Sequence, residues 1–158
     1  MEATQVPGAA VGLIYHDSIY FAKGFGFRNV SQKLLVDTQT IFPIGSCSKA
    51  FTATLLGWGQ EKEHLDYKDA PSKNIRELKF ANADMDQNIQ IQDLLAHSTG
   101  LPRHDLSWYL FPTQNGDSLT QRIAHLEPFA KVRERYYYNN FGYFLAGELA
   151  EKVFQTSW

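Results

Sequence analysis

The sequence predicts an α/β (α+β) chain, mainly helical, with a single β-hairpin at its N-terminus. Three observations carry that prediction. Two runs rich in strand formers, residues 9–16 and 19–23, flank the turn signal Asp17-Ser18. From Ser46 the apolar spacing becomes helical. A second long helical face follows Asn139, with apolar residues at positions 141, 144, 145, 149 and 153.

Taken in order, Val6-Pro7-Gly8 breaks the chain ahead of a hairpin expected over 9–24. Gly24-Phe25-Gly26-Phe27 only superficially suggests a phosphate loop, because no helix follows; a close backbone crossing or bulge is the expected use of its glycines. Residues 29–40 read as polar loop, with a short extended piece at Thr40–Pro43. A helix is expected over 46–62 in spite of Gly57 and Gly59. The region 63–158 is expected to be helical and to complete a single domain with the hairpin. Within it, Leu65–Ala81 reads as loop with a turn or two of helix. Ile91–His97 reads as a short helix stopped by Gly100 and Pro102. Residues 101–116 read as aromatic-rich loop containing Trp108, Tyr109 and Phe111. Asp117 or Ser118 caps a helix running through Leu126, and Asn139–Val153 forms the last one.

At 158 residues, 44% hydrophobic and 14% aromatic, the chain can bury a real core. A net charge of -2 steers it toward neither nucleic acid nor anionic membranes. No apolar run approaches the ~20 residues of a membrane span. Met1–Gln5 lacks the basic and apolar regions of a signal peptide, and the compartment stays undetermined. The single cysteine excludes an internal disulfide. The five histidines are scattered without HExxH or paired-cysteine spacing, so no zinc site is expected.

Three motifs carry chemistry. In Ser46-Cys47-Ser48-Lys49 the i, i+3 spacing puts serine and lysine on one helix face. A lysine beside a serine hydroxyl is a base beside a nucleophile, although the same pair also fits an ordinary amphipathic helix. The second motif is His97-Ser98-Thr99-Gly100-Leu101-Pro102, and the third is Tyr138-Asn139-Asn140-Phe141-Gly142-Tyr143. In this order, with Tyr138 92 residues after Ser46, they make the chain resemble the serine β-lactamase and penicillin-binding-protein superfamily. The resemblance is to its class C β-lactamase, D-alanyl-D-alanine carboxypeptidase and esterase branch, and it extends over essentially the whole chain. S-x-x-K is a known signature of that superfamily.

The resemblance implies the helical subdomain and N-terminal hairpin of a β-lactamase-like serine hydrolase. It further implies an acyl-enzyme mechanism on a small amide, β-lactam or ester substrate, without a cofactor. Ser46 would be the nucleophile and, through its own backbone N–H, an oxyanion donor at a helix start. Lys49 and Tyr138 would act as general base and acid. Asn140 would donate its amide to the substrate carbonyl and tether Lys49. Tyr137-x-Asn139 also satisfies Y-x-N, but Gly142-Tyr143 selects the 138/140 register. Tyr136 and Tyr137 are expected to pack in the core, Cys47 to be a small buried filler, and Ser48 to bond within the helix. His97 and Gly100 are expected to shape a loop, the histidine bonding nearby backbone; a Ser-His or Cys47–His97 pairing is the competing arrangement.

Relatives carry a further Lys/His-[Ser/Thr]-Gly strand after Y-x-N, and no such segment follows Tyr143. The chain is therefore expected to be an N-terminal portion, without that strand's oxyanion donor and the later sheet strands. A catalytically silent fragment that only binds is the alternative function. A two-stranded sheet with an unpaired edge is expected to self-associate or to need a complementary piece. Sedimentation and calorimetry check this: a monodisperse monomer with a sharp thermal transition is the contrary result.

Overall fold

A computed structural model describes the backbone of residues 1–158 and every side chain except that of Glu2. The chain divides into two compact units, Met1–Gly45 and Ser46–Trp158.

The first unit is a three-stranded antiparallel sheet in the order β1 (Gly8–Tyr15), β2 (Ser18–Asn29), β3 (Leu34–Leu35). His16 and Asp17 both have positive φ, the backbone of a two-residue hairpin turn whose twist matches its strands. β2 runs past the expected end at Gly24, and the glycines explain why. A Cβ on Gly24 would strike the Val36 backbone, and Gly26 has φ +68° beside the Pro7 carbonyl. The chain therefore crosses closely there, and the Val36 amide donates to the Gly26 carbonyl at 3.0 Å. This docking creates β3 in the segment expected to be loop. Val36 is buried, while Leu13, Ile14, Ile19 and Tyr20 are exposed. Among the described residues, the outer edge of β1 has no strand partner.

The second unit is helical: α1 (Ser48–Glu61), α2 (Ala83–Asn88), α3 (Ile91–Leu95), α4 (Leu106–Leu110), α5 (Gly116–Ile123) and α6 (Asn140–Phe154). A 3-10 turn over Gly45–Cys47 leads into α1, so Ser46 precedes the helix that was expected to contain it. Leu56, Ile75, Ile91, Leu94, Phe141, Leu145 and Leu149 form the centre of the core, each at most 1% exposed. The buried positions of α6 (141, 142, 145, 146, 149 and 150) repeat at helical spacing. Gly142 meets the Leu94 backbone, where a Cβ would lie 3.1 Å from the carbonyl oxygen.

Two helix starts differ from expectation. α5 is capped by Asn115, whose side chain accepts the Ser118 amide at 2.8 Å, rather than by Asp117 or Ser118. α4 forms where aromatic loop was expected, without a side-chain cap. Its first turn closes through the Ser107 and Trp108 amides, and Trp108 stacks on Phe141 at 4.4 Å between centroids. Tertiary packing thus supplies what the local sequence lacks.

Candidate functional site

Gly45, at φ +53°, turns the chain into the 3-10 segment that holds Ser46 exposed. Both 3-10 and α geometry bring i and i+3 together, and Lys49 Nζ donates to Ser46 Oγ at 3.3 Å. Lys49 is half-buried, but not among the apolar residues that follow it; Phe51 is 61% exposed on another face of α1. Its surroundings come from α6 and the segment before it. Nζ donates to Asn140 Oδ1 at 2.8 Å and lies 4.9 Å and 5.4 Å from the ring centres of Tyr138 and Tyr143. The Tyr138 hydroxyl is 2.6 Å from Ser46 Oγ.

Backbone bonds hold Tyr138 in place by lashing residues 129–139 to the loop after α3. Phe129 donates to the Gly100 carbonyl at 3.1 Å, Arg133 to that of Ser98 at 2.7 Å, and Tyr137 to that of His97 at 2.8 Å. Gly100 has φ +86°, and a Cβ there would meet the Ala130 carbonyl oxygen. Asn139 is the fastener at the far end. Its side chain caps α6 through the Gly142 amide at 2.9 Å and donates to the Pro102 carbonyl, and its own amide donates to His97 Nδ1 at 3.1 Å. Beneath the loop, Asp93 accepts from Ser98 Oγ and from Arg133 Nε and Nη2, at 3.0, 2.9 and 2.7 Å.

Hydrogen bonding by Lys49, then by Ser46, holds the Tyr138 phenol below its ordinary value of 10.0, with the charges of Lys49 and Arg103 adding to the shift. Burial, reinforced by the Lys49 charge, pushes His97 below 6.5. The His97 ring packs against Tyr138 and Tyr143, at 4.6 and 5.1 Å between centroids.

All four residues assigned to chemistry, Ser46, Lys49, Tyr138 and Asn140, meet in one cluster. Three expectations are corrected. Cys47 is exposed, not buried. Tyr136 and Tyr137 are 69% and 40% exposed, and lie against the rings of His97 and Phe129 instead of in the core. Two residues at the cluster were not anticipated. Arg103 lies over the Tyr138 ring at 5.1 Å, and Asp105 binds Arg103 Nε at 2.6 Å. Their one sequence signal is position, directly after Pro102. A cavity of about 580 Å³ opens beside Lys49 and Asn140, lined also by Arg103, Asp105, Trp108 and Tyr143. No cluster of potential metal ligands occurs among the described residues, and no helix is long and apolar enough to cross a membrane.

The Beta-lactamase family model matches residues 1–158. Protein flp of Staphylococcus aureus is 26% identical over 160 residues, covering 100% of this chain and 32% of that protein. Unguisins hydrolase ungD of Aspergillus violaceofuscus is 27% identical over 157 residues, covering 94% of this chain and 28% of that protein. The octameric penicillin-binding protein homologue from Pyrococcus abyssi superposes with a TM-score of 0.84 at 29% identity, over 99% of this chain and 37% of that one. The chain thus spans about a third of the length of the curated relatives it matches.

Proposed function

The chain belongs to the Beta-lactamase family, and from that membership we propose that it carries the nucleophile and proton-transfer groups of an acyl-serine hydrolase acting on a small amide, β-lactam or ester. The observation that carries this reading is the shared position of Ser46 Oγ, 2.6 Å from the Tyr138 hydroxyl and 3.3 Å from Lys49 Nζ. A serine hydroxyl within hydrogen-bond reach of a general base is what acyl transfer through a serine requires.

In the proposed sequence Ser46 Oγ attacks the substrate carbonyl as its proton passes to the Tyr138–Lys49 pair. That proton is then delivered to the departing amine or alcohol, leaving Ser46 acylated. A water attacks the acyl-enzyme, the pair accepts its proton, and the acid departs as Ser46 regains its hydrogen. Asn140 tethers Lys49 through Oδ1 and directs its amide toward the substrate carbonyl. His97 serves as a loop staple, since its Nδ1 is already engaged by the Asn139 amide, and Gly100 admits the strap at 129–139. The Aspergillus relative is by name a hydrolase, in keeping with this chemistry.

A fluorophosphonate or fluorescent penicillin is expected to label the chain once, and Ser46→Ala to abolish the label. Labelling that survives the substitution removes Ser46 as nucleophile. The competing reading is a chain that binds without turning over. Turnover of nitrocefin or p-nitrophenyl esters by the purified chain separates the two.

A further inference from the structure

Arg103 plays no part in the proton route just described, yet it closes the cluster into a ring. Its Cζ lies 5.1 Å from the centre of the Tyr138 ring, and its Nε donates to Asp105 Oδ2 at 2.6 Å. The other carboxylate oxygen, Oδ1, is 3.4 Å from Asn140 Nδ2. Asn140 holds Lys49 at 2.8 Å, Lys49 reaches Ser46 at 3.3 Å, and Ser46 reaches Tyr138 at 2.6 Å. Six side chains from three separate segments therefore touch in a closed circuit.

We propose that Arg103, aimed by Asp105, is a positioning residue for Tyr138, a permanent positive charge that favours the proton-accepting phenolate and seats the ring against Ser46. The proposal rests on the reading of Ser46 as nucleophile and Tyr138 as proton acceptor. The two cations beside Tyr138 differ in kind. Lys49 exchanges protons with Ser46 and Tyr138, so its charge changes during the reaction. A guanidinium does not titrate in proteins, so the field of Arg103 stays constant while the proton moves. A cation over an aromatic face is also attracted to it, which restrains the ring. The Arg103 side chain is 49% exposed and partnered by a carboxylate, so the effect is screened and modest. The groups facing Tyr138 are Ser46 from the 3-10 turn, Lys49 at the start of α1, His97 from the loop after α3, Arg103 with Asp105, and Tyr143 from α6. Among them Arg103 and Lys49 favour the phenolate, while Asp105 partly offsets Arg103.

The experiment is a carbon-13 NMR titration of Tyr138 in the whole chain labelled at tyrosine Cζ, assigned with Tyr138→Phe and compared with R103Q and R103K. Tyr138 is expected to titrate below 10.0 in the parent, to shift alkaline by about half a pH unit in R103Q, and to lie between the two in R103K. Superimposable midpoints in parent and R103Q overturn the proposal. If R103Q does not fold, R103M repeats the neutralisation with an apolar stem. In parallel, the alkaline-rising limb of fluorophosphonate labelling is expected to move with the phenol, and labelling near neutrality to fall about threefold in R103Q. A role confined to holding the loop would lower labelling without moving that limb, and this result also overturns the proposal. Absence of labelling in the parent would count against Ser46 as nucleophile and leave the titration to decide on Arg103.

Discussion

Lys49→Ala is expected to slow acylation of Ser46 by about 10²–10⁴-fold, the range removed with a general base. The loss has two sources in the geometry. The substitution takes away the amine 3.3 Å from Ser46 Oγ, and it removes the leading cause that holds the Tyr138 phenol below 10.0. Both proton acceptors are weakened by one change. Asn140 also loses the donor at its Oδ1, which leaves the bond to Asp105 Oδ1 as the remaining hold on its amide. Lys49→Arg is not expected to rescue the rate, because a guanidinium does not give up its proton to become a base. Time courses of fluorophosphonate labelling check this, and a Lys49→Ala rate within threefold of the parent would remove Lys49 from the proton route.

The second large effect is on stability. Asp93→Ala is expected to cost about 3 kcal/mol in urea unfolding, the lower end of the range for removing one partner of a buried ion pair. Asp93 is 2% exposed. Its carboxylate accepts the Gln90 amide at 2.9 Å, completing a capping box on α3, besides the bonds from Ser98 and Arg133. The Arg133 side chain is 45% exposed and can rehydrate when the carboxylate is removed, which keeps the figure at the lower end. Arg133→Ala leaves a buried carboxylate without its cation and is expected to cost at least as much, while the double substitution should cost less than the sum. Because this pair ties α3 to the strap carrying Tyr138, both variants should also label more slowly. Destabilisation below about 1 kcal/mol would show that backbone bonds alone secure the strap.

The sequence made the Ser46–Lys49 pair legible because i, i+3 spacing survives a change from α to 3-10 geometry. Tyr138 and Asn140 lie 92 and 91 residues from their partners, and only resemblance joined them to the pair. The Asp93–Arg133 bridge, across 40 residues, had no local signature. Arg103 and Asp105 were equally silent, since their direction depends on a loop in which His97, Gly100 and His104 all have positive φ. Helix existence was easier to read than helix edges. α6 was found within a residue at each end, whereas α4 forms through packing on Phe141 and was missed. The glycines at 24 and 26 were correctly expected to mark a close crossing, but the strand they admit, β3, carries only two residues and no periodicity.

The distance in sequence between the partners at Ser46 also orders events in time. The nucleophile turn and α1 form from neighbouring residues, but the contact between Ser46 and Tyr138 closes a loop of 92 residues. Loop-closure entropy grows with length, by about 0.6 kcal/mol per doubling, and chains dominated by such distant contacts fold more slowly. The site is therefore expected to assemble after its own helix, once α6 has docked and the strap is fastened. Ser46 reactivity during refolding should consequently lag behind the helical signal, making the nucleophile a clock for the last step of folding.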